Sequence, residues 1–232
     1  LQIQHTPFNL TGKKPGQLKS LKGLNAPNLI SLTASAGLLD ISGIERCTKL
    51  EELILSSNQE LESITPVSKI APSLVNVELS NSPAITSLEP LQTAASLELL
   101  SVNFLEQITN LSALKNCTKL KYFEFRGCKS LKSISGLNMA TISNHRPDNN
   151  KYRPYKANEI HLVNLNALES LAPLPPLSPG LTTVEISCLD ALNSLEGLEK
   201  SQHIERLVLT SSAIKDLSTI AKLSNLKEIV CA

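Results

Sequence analysis

Leucine, or an apolar stand-in for it, returns at nearly constant intervals along the 232 residues of this chain, and nothing else in the sequence narrows the possible folds so far. Counting the first apolar residue of each candidate strand as position zero gives Leu29, Leu50, Leu74, Leu97, Leu120, Ala157, Leu181, Ile204 and Leu226, with steps of 21, 24, 23, 23, 37, 24, 23 and 22. A period of this length marks a solenoid. Each repeat is one small unit that can bury its apolar side only against its neighbours.

Within a unit the apolar residues fall at offsets 0, 3 and 5, as in Leu50, Leu53, Leu55 and in Leu181, Val184, Ile186. The last two alternate as strand residues do. A second series follows at offsets 11, 14 and 17, as in Leu61, Ile64, Val67 and in Leu192, Leu195, Leu198. A repeated spacing of three suits eclipsed 3₁₀ turns better than a 3.6-residue helix. Ser or Thr follows the offset-14 residue or its equivalent in five units (Ser42, Thr65, Ser112, Ser135, Ser218), and Pro66 follows Thr65. That predicts helix N-cap chemistry with proline in the first turn. Each unit is thus expected to be a short strand, a turn and a capped helical turn, returning one strand spacing, about 4.8 Å, along the axis.

The segments LEELILSSNQELESITPV, LELLSVNFLEQITNLSAL and LTTVEISCLDALNSLEGL carry L-x-x-L-x-L followed by L-x-x-L-x-x-L, a pattern that resembles the leucine-rich repeats. The short units are similar to the class found in a regulatory subunit of protein phosphatase 1 and in bacterial internalins. The resemblance covers nearly the whole chain and implies an α/β solenoid: a horseshoe with a parallel concave sheet of about nine strands and a 3₁₀ or short helical convex side. It also implies Asn or Cys at offset 8, bonded to the backbone of the neighbouring turn. Asn58 and Cys128 comply, whereas Leu105, Leu165 and Leu189 hold that place in other units, so the polar ladder is expected to be partial.

The 37-residue step is the one break in the period, and it defines an irregular insertion over about residues 138–157 of an otherwise single domain spanning 1–232. Pro147 and Pro154 bar regular structure there. The stretch carries Arg146, Lys151, Tyr152, Arg153, Tyr155 and Lys156, and it is expected to leave the outer side of the solenoid as a loop. Its basic and aromatic content suits an acidic partner or a phosphate group, and so polar a run also fits plain disorder.

Composition removes several function classes. A formal net charge of +1 gives no overall field to concentrate phosphate polymers, so no nucleic-acid partner is expected. No run of about 18 apolar residues could span a bilayer. The chain begins on Leu1 rather than Met, and Leu1-Gln2-Ile3 reads as strand, which fits a processed or trimmed piece. The missing signal peptide therefore says little about secretion of a parent. Five Cys is an odd count, and Cys47 and Cys117 hold equivalent places three steps apart, roughly 14 Å, too far for a bridge. Buried free thiols are expected, which favours a reducing compartment while leaving secretion open. Three sequons, at Asn9, Asn110 and Asn116, are as many as chance supplies in a chain rich in Asn, Ser and Thr.

No catalytic motif, metal pair or cofactor motif is present, so no catalytic, metal-binding or cofactor residue is assigned and no cofactor is expected. Of the four His, only His161 falls on the solvent face of a strand, with Glu124 and Glu185 at the same offset in adjacent units. That trio could imitate an acid and base set, but an open sheet gives little desolvation to tune it. The expected role is protein binding. Offsets 2, 4 and 6 point out of the concave sheet, and the later units gather Glu78, Tyr122, Glu124, Arg126, Glu159, His161, Glu185 and Arg206 there. Such a surface suits a partner protein offering a basic segment. The alternative is a recognition or targeting arm of a larger receptor, secreted bacterial effector or enzyme, whose flanking parts would cover the ends of the array.

Overall fold

The structure, a computed structural model, describes residues 8–10, 18–35, 37–138, 141–143, 158–211 and 213–232. It contains one sheet of ten strands in chain order: β1 (Phe8–Leu10), β2 (Ser31–Ala34), β3 (Glu52–Ser56), β4 (Asn76–Ser80), β5 (Leu99–Asn103), β6 (Tyr122–Arg126), β7 (Glu159–Val163), β8 (Thr183–Ser187), β9 (Arg206–Thr210) and β10 (Glu228–Cys231). Neighbours are parallel throughout. Nine of the ten stand where the leucine period puts them. The tenth, β1, lies upstream of Leu29, where the apolar signal is too sparse to index. Leu1-Gln2-Ile3 and, within the expected insertion, residues 139–140 and 144–157 lie outside the described residues.

The reason for the architecture is visible in the burial. Leu50, Leu53, Leu55, Leu61, Ile64 and Val67 of one unit are buried, and so are their equivalents in the units on either side, except partly buried Leu29. Each unit is too thin to enclose them alone. Stacking converts single apolar faces into one continuous core, removing about 25 cal/mol of unfavourable hydration per Å² covered. The return segments are 3₁₀ turns, including Thr65–Lys69, Glu89–Leu91, Ser112–Asn116 and Ser218–Lys222, as the spacing of three requires.

Capping differs from expectation. None of these turns has a side-chain hydrogen bond from its N-cap. Instead the polar residue just before the buried offset-14 position accepts the N–H two residues on. Asp40, Ser63, Ser87, Asn110, Ser133, Ser170, Ser194 and Asp216 all do so, at 2.8 to 3.2 Å. Ser42, Thr65, Ser112, Ser135 and Ser218 therefore supply the N–H rather than the cap. The device is the Asx or ST turn, which these side chains form readily. Two residues later the turn passes close to the preceding unit. A Cβ on Gly197, at φ +110, would lie 2.3 Å from the carbonyl oxygen of Leu171.

A second column turns the chain out of the sheet. Ser57, Asn81, Phe104, Gly127, Asn164, Cys188 and Ser211, each one residue beyond its strand, all have positive φ. Six of them donate their N–H to the last strand carbonyl of the following unit, Phe104 to Arg126 at 2.7 Å for example, and Ser211 donates to Ala232. This conformation costs an L-residue other than Gly, Asn or Asp roughly 1–2 kcal/mol. The shared hydrogen bond and the core behind it hold it in place.

The partial polar ladder is present. Asn58 Oδ1 accepts from Leu38 N at 2.9 Å and its Nδ2 donates to the Ala34 carbonyl at 3.3 Å. Cys128 Sγ donates to the Val102 carbonyl, at 3.6 Å, from the equivalent place. Ser82 joins the ladder by accepting Asn58 N. The weakest join in the sheet is at the insertion. The β6–β7 ladder has two register pairs, Phe125 with Leu162 and Arg126 with Val163, against five between β5 and β6.

Two outcomes follow for stability. Asn58→Ala leaves the buried Leu38 N–H without its acceptor and should lower unfolding free energy in urea by about 1–3 kcal/mol. At Asp40, hydrogen bonds first from the Ser42 hydroxyl, then from Ser42 N and Ser20 Oγ, hold the carboxyl below its ordinary value. A lowered folded-state pKa stabilises above the unfolded value of about 4 and is lost as pH falls through the folded value. Asp40→Asn should thus be less stable than the parent at pH 7, with the gap closing in acid melts.

Candidate functional site

Alternation along each strand sends offsets 3 and 5 into the core and offsets 2, 4 and 6 onto the concave face, and parallel register lines them up across units. Glu78 pairs with Ser101 and Ser101 with Glu124, while His161 pairs with Glu185. The eight residues anticipated from the sequence therefore share one face. Their surroundings differ sharply.

At β5 and β6 the outward side chains are not solvated. Tyr122 is 4% exposed and Glu124 8%, and Leu99, Ser101 and Asn103 beside them are buried as well. A hydrogen-bonded chain runs through them: Asn103 Nδ2 donates to Ser101 Oγ at 2.9 Å, Ser101 Oγ donates to Glu124 Oε2 at 3.2 Å, and the Tyr122 hydroxyl donates to the same oxygen at 3.3 Å. A buried carboxylate needs such donors to stay tolerable. Tyr122 and Glu124 are therefore enclosed rather than presented to solvent, against the expectation of exposed contacts. Arg126, at the end of β6, is half-buried beside Asn103 and Val163.

At β7 and β8, His161 is a correction of another kind. Its side chain is only 12% exposed, so the expectation of a solvated imidazole on an open sheet fails. Nδ1 lies 2.7 Å from Glu185 Oε2, and Nε2 lies 3.3 Å from Glu159 Oε2 on its own strand. On β6, Glu124 directly precedes the Phe125–Leu162 register pair, as His161 does on β7. The Nδ1 contact to Glu185 is within hydrogen-bond distance and orients the ring. Among the described residues no group of three or more His, Cys, Asp or Glu is arranged to hold a metal ion.

At the far end, Arg206 reaches Glu228 at 2.8 Å and Lys227 reaches Glu205 at 2.8 Å, both pairs well exposed. With Glu159 and Thr183 they border a polar cleft along the strand entrances. Glu228, which the sequence reading passed over, enters this group because Arg206 and Glu228 are register partners. Glu78 on β4 is half-buried. Arg146, Lys151, Tyr152, Arg153, Tyr155 and Lys156 lie outside the described residues.

All five cysteines are free. Cys47, Cys117 and Cys128 are buried, and burial pushes the Cys117 thiol up to about 11 and that of Cys128 to about 12. Such thiols are protonated and poorly nucleophilic at neutral pH. Cys231 is exposed on β10, against the expectation of burial for all five. Among the described residues no helix is long and apolar enough to cross a membrane.

No protein-family model and no curated protein sequence matches the chain. Solved structures do. Internalin C2 of Listeria monocytogenes is 22% identical, with a TM-score of 0.53, over 97% of this chain and 78% of that one. An internalin F from the same organism is 18% identical over 87% of this chain and 67% of its own, with a TM-score of 0.39. The functional domain of internalin J, described as including a cysteine ladder, is 16% identical over 90% and 54%, with a TM-score of 0.34. At 22% identity the first likeness is one of fold, and the shared fold is the leucine-rich repeat solenoid.

The contrast between the buried and exposed members of the face gives a direct test. Tyr122→Ala empties a filled site and should cost about 3 kcal/mol or more in denaturant titration. Arg206→Ala, which loses only an exposed ion pair, should change stability by less than about 1 kcal/mol. Equal effects would contradict the assignment.

Proposed function

We propose that this leucine-rich repeat solenoid is a protein-interaction module, and that its concave face from β4 to β9 takes a partner protein through a basic, extended segment. The observation that carries the reading is register. Glu78 and Glu124 flank Ser101 at one level of the sheet, and Glu185 stands beside His161 at the same strand position. Glu159 adds a fourth carboxylate from the same strand as His161. The chain as a whole carries a formal charge of only +1, so this negative character is local to the face. Carboxylates grouped on a concave face steer a basic segment and fix its register more than they raise raw affinity. Arg206, exposed at the border, would take a carboxylate or carbonyl of the partner.

Because Tyr122 and Glu124 are built into the fold, they are poor probes of binding. Glu185, whose side chain is 33% exposed, and half-buried Glu78 serve better. Random peptides displayed on phage and selected on the immobilised chain should become enriched in Lys and Arg. Affinity for the selected peptides should fall about tenfold or more in Glu185→Lys and weaken as salt is raised. A selection that enriches nothing, or peptides indifferent to both Glu185→Lys and Glu78→Lys, would overturn the reading.

A further inference from the structure

The sequons at Asn9, Asn110 and Asn116 are alike in sequence, but their folded surroundings differ. Asn9 lies in β1, paired with Thr33, and the Thr11 of its sequon is outside the described residues. Asn116 is exposed, yet its Nδ2 donates to the Gln92 carbonyl of the preceding unit at 3.0 Å, so the nitrogen that would carry a sugar is spent on a join between units. Asn110 is exposed on the convex side, just before the Ser112–Asn116 turn. Its equivalents in other units are Asp or Ser, as at Asp40, Ser87 and Ser194, so among the described residues this amide is alone in its column. Asn110 Oδ1 accepts Ser112 N at 3.1 Å and the Ser112 hydroxyl at 2.6 Å. Both bonds fall on the oxygen, and Nδ2 makes only a long one, to Thr109 Oγ1 at 3.3 Å.

We infer that Asn110 is an acceptor for N-glycosylation, taking a glycosyl group from a sugar diphosphate donor, whether nucleotide-linked or lipid-linked. An amide nitrogen is a poor nucleophile because its lone pair is delocalised towards the oxygen. Two donors on Oδ1 stabilise the negative charge that the oxygen takes up as Nδ2 gives up a proton, so Ser112 favours the nucleophilic form of Asn110. In the transfer the bond from Nδ2 to the sugar C1 forms as the bond from C1 to the diphosphate oxygen breaks. The diphosphate leaves with that electron pair, and the amide proton passes to a basic side chain of the transferase. Space for the sugar lies beside the turn. Ser112 Oγ is 3.4 Å from Glu89 Oε1, and Glu89 lines an open polar groove of about 270 Å³ with Ser63, Thr65, Ser87 and Gln92, whose hydroxyl, amide and carboxylate groups suit sugar hydroxyls. A sugar on this side leaves the concave carboxylates uncovered, so the inference is independent of the function proposed above.

The test uses the full, folded chain in two arms: a soluble asparagine glucosyltransferase with UDP-glucose, and an oligosaccharyltransferase with a lipid-linked oligosaccharide. Peptide mapping by mass spectrometry should place the sugar on Asn110 in at least one arm, and the arm that works identifies the donor. The initial rate at Asn110 should exceed that at Asn116 by about tenfold or more. That excess should disappear in short synthetic peptides spanning each sequon, which lack the fold. Ser112→Ala should lose the product and Ser112→Thr should keep it. Asn110→Asp retains the turn oxygen, as Asp40 and Asp216 do, and should fold like the parent while losing the added mass. No sugar on Asn110 of the folded chain in either arm, or equal rates at Asn110 and Asn116 there, would overturn the inference.

Discussion

No unit of this chain can bury its own apolar residues, and every other feature depends on that. The side chains at offsets 0, 3, 5, 11, 14 and 17 are enclosed only because a neighbour lies on each side, so stability is a sum of unit-to-unit contacts rather than the property of a central core. The consequence is repetition of geometry. Once one interface is satisfactory, the next must have the same spacing, and the strands fall into parallel register from β1 to β10.

Close stacking removes water from the turns as well as from the side chains, so the backbone polar groups must be satisfied between units. Three columns do this. The polar residue before the offset-14 position closes an Asx or ST turn, the positive-φ residue after each of β3 to β9 donates to the following unit, and Asn58 with Cys128 reaches back to the preceding one. Leu105, Leu165 and Leu189 leave the last column incomplete, and they are buried like the rest of the core. The insertion disturbs the pattern where β6 meets β7. There Phe123 and Phe125 replace the usual aliphatic pair, with ring centroids 5.8 Å apart, and occupy more of the interior than Leu or Val would.

The concave face inherits both regularity and interruption. Regularity lines up carboxylates from successive strands. Interruption gives it unequal depth: Tyr122 and Glu124 lie buried in a hydrogen-bonded chain, His161 is held between Glu159 and Glu185, and Arg206 and Glu228 stand in solvent. Residues alike in sequence position thus have different duties. Those at β6 are buried in the sheet, and Arg206 on β9 and Glu228 on β10 are exposed.

The period and the offsets determined the solenoid, the parallel strands, the 3₁₀ returns and the side of the sheet on which each residue lies. Those properties are local, because alternation along a strand and a spacing of three in a turn depend on near neighbours in the chain. Asn58 and Cys128 were legible for the same reason. Depth of burial was not, since it depends on what lies across the sheet, and Tyr122 reads like any outward residue until its neighbours are in place. The turn oxygens were displaced by two residues because Ser and Thr occur on both sides of the buried position, and only geometry distinguishes donor from acceptor. Phe104 looks like one more apolar residue in a leucine-rich chain. Its positive φ and the bare backbone of Gly127 beneath the ring exist only in the folded array.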